Sequence, residues 1–414
     1  MDEFLPTSLT GSQRLLLGLL SSRPGARPSG QEEVPWNDFL RLVGGLGLSP
    51  FVAYRLQQDP YGVPAAVRNQ ILDWSRANTL RQLRRHAVLR RIAGSLDEAR
   101  IPLIVLKGMA LAYIAYPNPY CRSMADIDLF VPRANLERAI QVVRDLDLRE
   151  VRVCFSQQGP AFASPDHLVY IEIHGSLLSF EKFGVDSDSL WSRSRAGDLG
   201  GIQVRVLCPE DFVEHLCLHV GPHHLYASLL QQLLDLRFYL EKHGAEIDWQ
   251  AVANRSVQIG SSVWVYLTLW LAQELLGAPV PAGFFQACPA PKRLADLSRV
   301  ATQHLLSVFD LPMDSGFVKV CAGGSFKERW SVLTEHWRAA RSGVSESRGP
   351  REAKASGNGN YPLLFLRRMK LLIRSGALRS SAWSAAAEYQ ASRAHLLNLM
   401  DSETQVLPRN PPAA

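Results

Sequence analysis

Asp126 and Asp128 stand two residues apart in the run ADIDLFVP. On a strand, side chains alternate between faces, so this spacing sets both carboxylates on one side and sends Ile127 and Leu129 to the other. Two carboxylates held in parallel resist burial unless a cation neutralises them. Oxygen donors of this kind, completed by water and phosphate oxygens, suit Mg2+ or Mn2+. A third acid comes from LVYIEIH, where Glu172 and His174 share one face and Ile171 and Ile173 the other. If that strand lies beside the Asp strand, Glu172 comes within metal-bridging reach. Asp126, Asp128 and Glu172 are therefore the candidate catalytic and metal-binding residues. Lys107-Gly108 closes the apolar run IPLIVLKG: glycine admits backbone close to a phosphate, a helix N-terminus attracts anions, and Lys107 adds a point charge. Arg122, four residues before Asp126, can fork onto a polyphosphate or pair with an acid. His174 can contact phosphate or orient a ligand from behind.

These side chains need a sheet, and the surrounding texture supplies one. IPLIVLKG and ADIDLFVP read as buried strands, with MALAYIAY a short helix between them, halted by Pro117 and Pro119. Ala134 to Leu146 is an amphipathic helix, and Glu150–Phe155 and Leu168–His174 are further strands. Residues 1–98 are helical in pattern, with Val67–Arg100 the longest stretch and Ile71, Trp74, Leu80, Leu83, Val88, Ile92 and Leu96 recurring near helical spacing. From Pro209 the helical period returns through PEDFVEHLCLHV, SLLQQLLDLRFYLEKHG and Trp249–Leu276, with Gly244 as a C-cap. The expected organisation is an N-terminal helical region (1–98), a mixed-sheet core (99–208), a helical domain (209–341), a Gly/Ser-rich linker (342–360) and a basic C-terminal helix and tail (361–414). The fold class is α+β: a small mixed sheet flanked by helical regions on both sides.

The run of apolar strand with Lys107-Gly108, short helix, Tyr116-Pro117, Arg122, Asp126-Ile127-Asp128-Leu129, helix, then Glu172-x-His174 resembles the uncharacterised bacterial nucleotidyltransferase family of the DNA-polymerase-β-like superfamily. The resemblance covers residues 65–255 and fades on either side. It implies two divalent metals, an NTP donor, and transfer of a nucleotide to an acceptor hydroxyl with release of pyrophosphate. Asp126 and Asp128 would bind both metals, Glu172 would support the metal facing the acceptor, and Lys107, Gly108 and Arg122 would hold the triphosphate. The sequence departs from the superfamily twice. Lys107-Gly108-Met109 stands where Gly-Ser is usual, and the third acid is Glu where many members use Asp.

Composition narrows the alternatives. The 414 residues are 47% hydrophobic and 20% charged, which excludes a disordered chain. Six scattered cysteines form no CxxC pair, so neither a zinc knuckle nor a disulfide framework is indicated, and reduced thiols in a cytoplasmic protein are expected. The apolar run Val263–Ala272 is too short for a bilayer and reads as a buried helix; acids at the N-terminus argue against a signal peptide. No Walker loop, GxGxxG or GxSxG is present. His215, His219, His223 and His224 invite a metal reading, but the HExxH acid is missing and Gly221-Pro222 interrupts the helix, so packing or substrate contact is expected there. Asp235 is expected to anchor helices. Two other functions stay open: a non-catalytic nucleotide-binding module, suggested by the missing Gly-Ser, and a nucleic-acid-directed transferase or toxin–antitoxin component, suggested by a pI near 9.0 and a basic C-terminus. The acceptor is open among small molecule, peptide and RNA.

Overall fold

The structure, a computed structural model, describes residues 9–23, 34–151, 160–308 and 380–404. Four helices lead the chain: α1 (Gly11–Leu20), α2 (Trp36–Gly45), α3 (Ser49–Gln58) and the 34-residue α4 (Ala65–Glu98). The first opens with a reciprocal capping box, Thr10 Oγ1 accepting from Gln13 N while Gln13 Oε1 accepts from Thr10 N.

Helix α4 buries a different stripe from the one its leucines suggest. Leu80 and Leu83 are 65% and 48% exposed, whereas Ile71, Asn78, Gln82, Arg85, Leu89, Ile92 and Leu96 are buried. The buried positions step by sevens, fours and threes along one helical face, so the helix is regular. Its middle is polar because it packs on a polar neighbour, the loop before the second strand. Asn78 Nδ2 donates to Tyr120 O at 3.1 Å, Gln82 Nε2 to Arg122 O, and Arg85 Nη2 to Ala125 O at 3.3 Å.

Seven strands form one mixed sheet: β1 (Ile104–Val105), β2 (Asp126–Phe130), β3 (Arg149–Val151), β4 (Ala161–Ala163), β5 (Tyr170–His174), β6 (Arg195–Asp198) and β7 (Gln203–Val206), in the order β3-β4-β5-β2-β1-β7-β6. The β2–β5 and β1–β7 pairs are parallel and the rest antiparallel. Ile127, Leu129, Ile171 and Ile173 are fully buried, as alternation requires of a sheet's core face. The strand expected over IPLIVLKG shortens to two residues. Lys107 adopts a left-handed φ of 43° and turns the chain, so that Lys107-Gly108 opens α5 (Lys107–Ile114). Helix α6 (Leu136–Asp145) follows β2 as expected. Of the strand expected over 150–155, Glu150 and Val151 fall in β3 and 152–155 lie outside the described residues.

Beyond the sheet run α7 (Leu178–Glu181), α8 (Ser187–Arg193), α9 (Pro209–Leu218), a π-turn (His219–His223), α10 (Leu230–His243), α11 (Trp249–Gln258), α12 (Ser262–Leu276), α13 (Ala282–Ala287) and α14 (Leu294–Leu305). Gly244 is the C-cap of α10, as expected, with a right-handed φ of −59°, and leads into a 3-10 turn; Gly277, which closes α12, is left-handed with a φ of 72°. Buried Asp211 and Glu214 of α9 fasten this layer: Arg193 pairs with Asp211 at 3.0 Å, and Arg255 with Asp211 at 2.7 Å and Glu214 at 2.8 Å. Helix α12 is buried nearly all round, and among the described residues no helix is long and apolar enough to cross a membrane.

The chain divides into two compact units, Met1–Val308 with Leu399–Ala414, and Phe309–Asn398. The first holds the N-terminal helices, the sheet and the helices through α14. Of the second, residues 380–398 are described, within a helix Ser380–Thr404. The expected linker at 342–360, the basic segment 361–379 and the terminal residues 405–414 lie outside the described residues.

Candidate active site

Parallel pairing sets the candidate acids in register. Asp126 lies opposite Tyr170, Asp128 opposite Glu172 and Phe130 opposite His174. In-register neighbours on adjacent strands point to the same face. Three carboxylates thus share one small area on a sheet whose other face is hydrocarbon.

Two cationic or polarisable partners meet them. Lys107 Nζ donates to Asp128 Oδ1 at 2.9 Å, and His174 Nε2 lies 3.0 Å from the same oxygen. His174 Nε2 is also 3.8 Å from Glu172 Oε2. Asp128 is 5% exposed, and burial alone would raise its pKa; Lys107 and the His174 hydrogen bond overcome this and hold the carboxyl well below the usual range. The same ion pair raises the Lys107 ammonium despite its burial. Among the described residues Asp126 has no hydrogen-bonded cation, and Lys107 and Arg122 act on it only through their charge. Burial, then the Asp128 charge, push its carboxyl up to about 6, and Glu172 moves up for the same two reasons. The cluster is short of positive charge at Asp126 and Glu172.

That shortage is the test of whether a divalent metal fits. Asp126, Asp128 and Glu172 offer hard oxygen donors, they repel one another, and a cation between them would remove the repulsion. One ligand atom each of Asp128, Glu172 and His174 lies within 4.8 Å of the others. The donor set fits Mg2+ or Mn2+.

Arg122 is placed elsewhere. Its Nε and Nη2 donate to Asp235 Oδ1 and Oδ2 at 3.0 and 2.8 Å, and Nη1 donates to Ser123 O at 2.9 Å. Tyr116 Oη donates to Asp235 Oδ1 at 2.7 Å. All three side chains are buried, so Arg122 joins the loop before β2 to α10 and does not reach the carboxylates.

Gly108 is constrained by this arginine. A Cβ on Gly108 would sit 2.1 Å from Arg122 Nη1 and 2.9 Å from Cζ. The guanidinium is held on three sides and cannot give way. Gly108→Ala should therefore cost about 1–3 kcal/mol of stability through overpacking, read as a lower denaturant midpoint; an unchanged midpoint would show the guanidinium to be free to move.

Two further groups adjoin the site: Arg85, which the sequence did not single out, and His215, read from sequence only as part of a histidine cluster. Arg85, buried on α4, is coupled electrostatically to Asp126, and its Nε and Nη1 have no hydrogen-bond partner among the described residues. The clue was its place in the heptad-spaced stripe of α4, which a search for apolar residues passes over. His215, buried on α9, hydrogen-bonds Ser179 Oγ through Nδ1 at 3.1 Å; burial and then the Lys107 charge depress its pKa to about 3.

A family model described as uncharacterised nucleotidyltransferase matches residues 32–277, more than half of the chain. The protein belongs to this nucleotidyltransferase family, and nucleotidyl transfer is its general chemistry. Among solved structures it is similar to an antigenic nucleotidyltransferase-like protein from Paracoccidioides brasiliensis, at 16% identity and a TM-score of 0.34, covering 49% of this chain and 93% of that one. None of the curated proteins matches it.

Proposed function

We propose that the protein transfers a nucleoside monophosphate from an NTP to an acceptor hydroxyl, using Mg2+ or Mn2+ held by Asp126, Asp128 and Glu172. The observation that carries this reading is the register of β2 and β5, which sets Glu172 directly beside Asp128 with Asp126 two residues away on the same face. Metal bound there supplies charge neutralisation for the acceptor oxygen and the leaving pyrophosphate. Asp126, Asp128 and Glu172 would hold the metal, Glu172 toward the acceptor. His174 holds Asp128 in orientation through their 3.0 Å contact. Lys107 and the backbone at Gly108, which open α5, would take the triphosphate. The acceptor oxygen forms a bond to the α-phosphorus as the bond to pyrophosphate breaks, and the hydroxyl proton passes to solvent water. The acceptor is a hydroxyl-bearing small molecule, peptide or RNA, and positioning it beside the nucleotide is the helical layers' part of the work.

Isothermal titration of each NTP, with and without Mg2+, tests this on the wild type and on Asp126→Asn/Asp128→Asn. Magnesium-dependent binding of an NTP is expected in the wild type and its loss in the double variant. Well-folded wild-type protein that binds no NTP in either condition would leave the non-catalytic reading in its place.

A further inference from the structure

At the end of α9 the chain makes the five-residue π-turn His219–His223, with Pro222 inside it. Gly221-Pro222 is expected from sequence to interrupt the helix before the last two histidines, which on its own would not bring them back to the first. The wider π-turn folds them back instead. The ring centroids of His219 and His224 lie 4.5 Å apart, those of His223 and His224 4.4 Å, and those of His219 and His223 5.4 Å. One ring nitrogen from each of the three lies within 4.8 Å of the other two. His219 Nε2 and His224 Nε2 are 3.3 Å apart. A tetrahedral zinc ion with bonds of about 2.0–2.1 Å requires its ligand nitrogens to stand roughly 3.3–3.4 Å from one another.

The surroundings prepare the rings for ligation. Gln232 Oε1 accepts from His219 Nδ1 at 3.0 Å, which puts the proton on that nitrogen and leaves Nε2, the atom facing His224, with its lone pair. His223 Nδ1 is buried with no hydrogen-bond partner among the described residues, a cost that ring packing does not recover. Directly after the cluster, Leu225, Tyr226 and Ser228 all adopt left-handed backbone, with φ of 51°, 65° and 55°. Strain of this density persists where the surrounding structure enforces it, as at ligand clamps.

We propose that His219, His223 and His224 form a zinc site. Imidazole nitrogens select Zn2+ over Mg2+, whereas the oxygen set of Asp126, Asp128 and Glu172 selects the reverse, so one chain presents two cation sites of different chemistry. Three protein ligands leave a fourth position for a substrate or solvent atom, the pattern of an open site. The proposal does not depend on the carboxylate cluster being catalytic.

The test uses the full chain stripped of metal with a chelator. Zn2+ is titrated in competition with a chromogenic chelator, and Co2+ is followed by its visible absorption. One zinc per chain is expected in the wild type, and equally in Asp126→Asn/Asp128→Asn. His224 is exposed, so His224→Ala leaves the fold intact; it should weaken zinc by on the order of 100-fold or more and remove the tetrahedral cobalt bands. His224→Cys keeps a ligand, and should retain cobalt and add a thiolate charge-transfer band. Failure of the wild type to bind zinc, an affinity unchanged in His224→Ala, loss of zinc in the carboxylate variant alone, or a His224→Cys protein without the new band would each overturn the site.

Discussion

Asp126→Asn is expected to make the metal-free protein more stable and to abolish its stabilisation by Mg2+ and nucleotide. The carboxyl of Asp126 is displaced from 3.8 to about 6 by burial and by Asp128, which outweigh the opposing charges of Lys107 and Arg122. That displacement corresponds to about 2–3 kcal/mol of destabilisation when the group is ionised. A folded pKa raised above the unfolded value means that the folded state binds the proton more tightly. The penalty is absent below pH 4, grows between pH 4 and 6, and is complete above about 6. The advantage of Asp126→Asn over wild type should therefore be largest above pH 6 and vanish toward pH 4.

Comparing the two proteins pH by pH isolates this group. His215 and His223, whose pKa values are depressed to about 3 and about 4, weaken the fold as pH falls, but they do so in both proteins and cancel in the difference. In chemical denaturation with EDTA the variant should be the more stable at pH 7.5. With Mg2+ and the NTP that binds, the order should reverse, because ligand binding to the native state stabilises wild type alone. A variant less stable than wild type in EDTA would mean that Asp126 is satisfied in the fold, and the argument for a missing cation would go with it.

The legibility of this site in the sequence follows from the physics of strands. Period-two alternation is local, so the common face of Asp126 and Asp128 and the common face of Glu172 and His174 could be read from spacing alone. That β5 lies beside β2, parallel and in register, is a long-range fact that no local pattern encodes. The short strands β4, β6 and β7 carry three or four residues each, too few for alternation to declare itself. On α4 the apolar criterion chose Leu80 and Leu83, although the buried stripe passes through Asn78, Gln82 and Arg85; a helix facing a polar loop buries polar residues, and hydrophobicity then points the wrong way. At His219–His224 a proline was read as an interruption, while the π-turn absorbs it and closes the cluster.

Arg122 is where the second large effect is expected. Asp235 is fully buried and accepts from Arg122 twice and from Tyr116 once. Removing one partner of such a pair strands a charge in a low-dielectric interior, so Asp235→Asn should destabilise the protein by about 3–5 kcal/mol. Replacing the whole group should cost far less, since apolar residues of similar volume often match or exceed a buried ion pair. Arg122→Met/Asp235→Leu/Tyr116→Phe should accordingly recover most of the lost stability, measured by the same denaturant midpoint. This triple variant also decides between the two roles the sequence allows for Arg122. If the arginine serves to join the β2 loop to α10, the variant binds Mg2+ and NTP within a few-fold of wild type. If it leaves Asp235 to fork onto the triphosphate, a charge-assisted bidentate contact is lost and the variant folds yet binds nucleotide weakly, by roughly 10-fold or more. The 2.8–3.0 Å geometry to Asp235, together with Gly108 closed against the guanidinium, favours the first outcome.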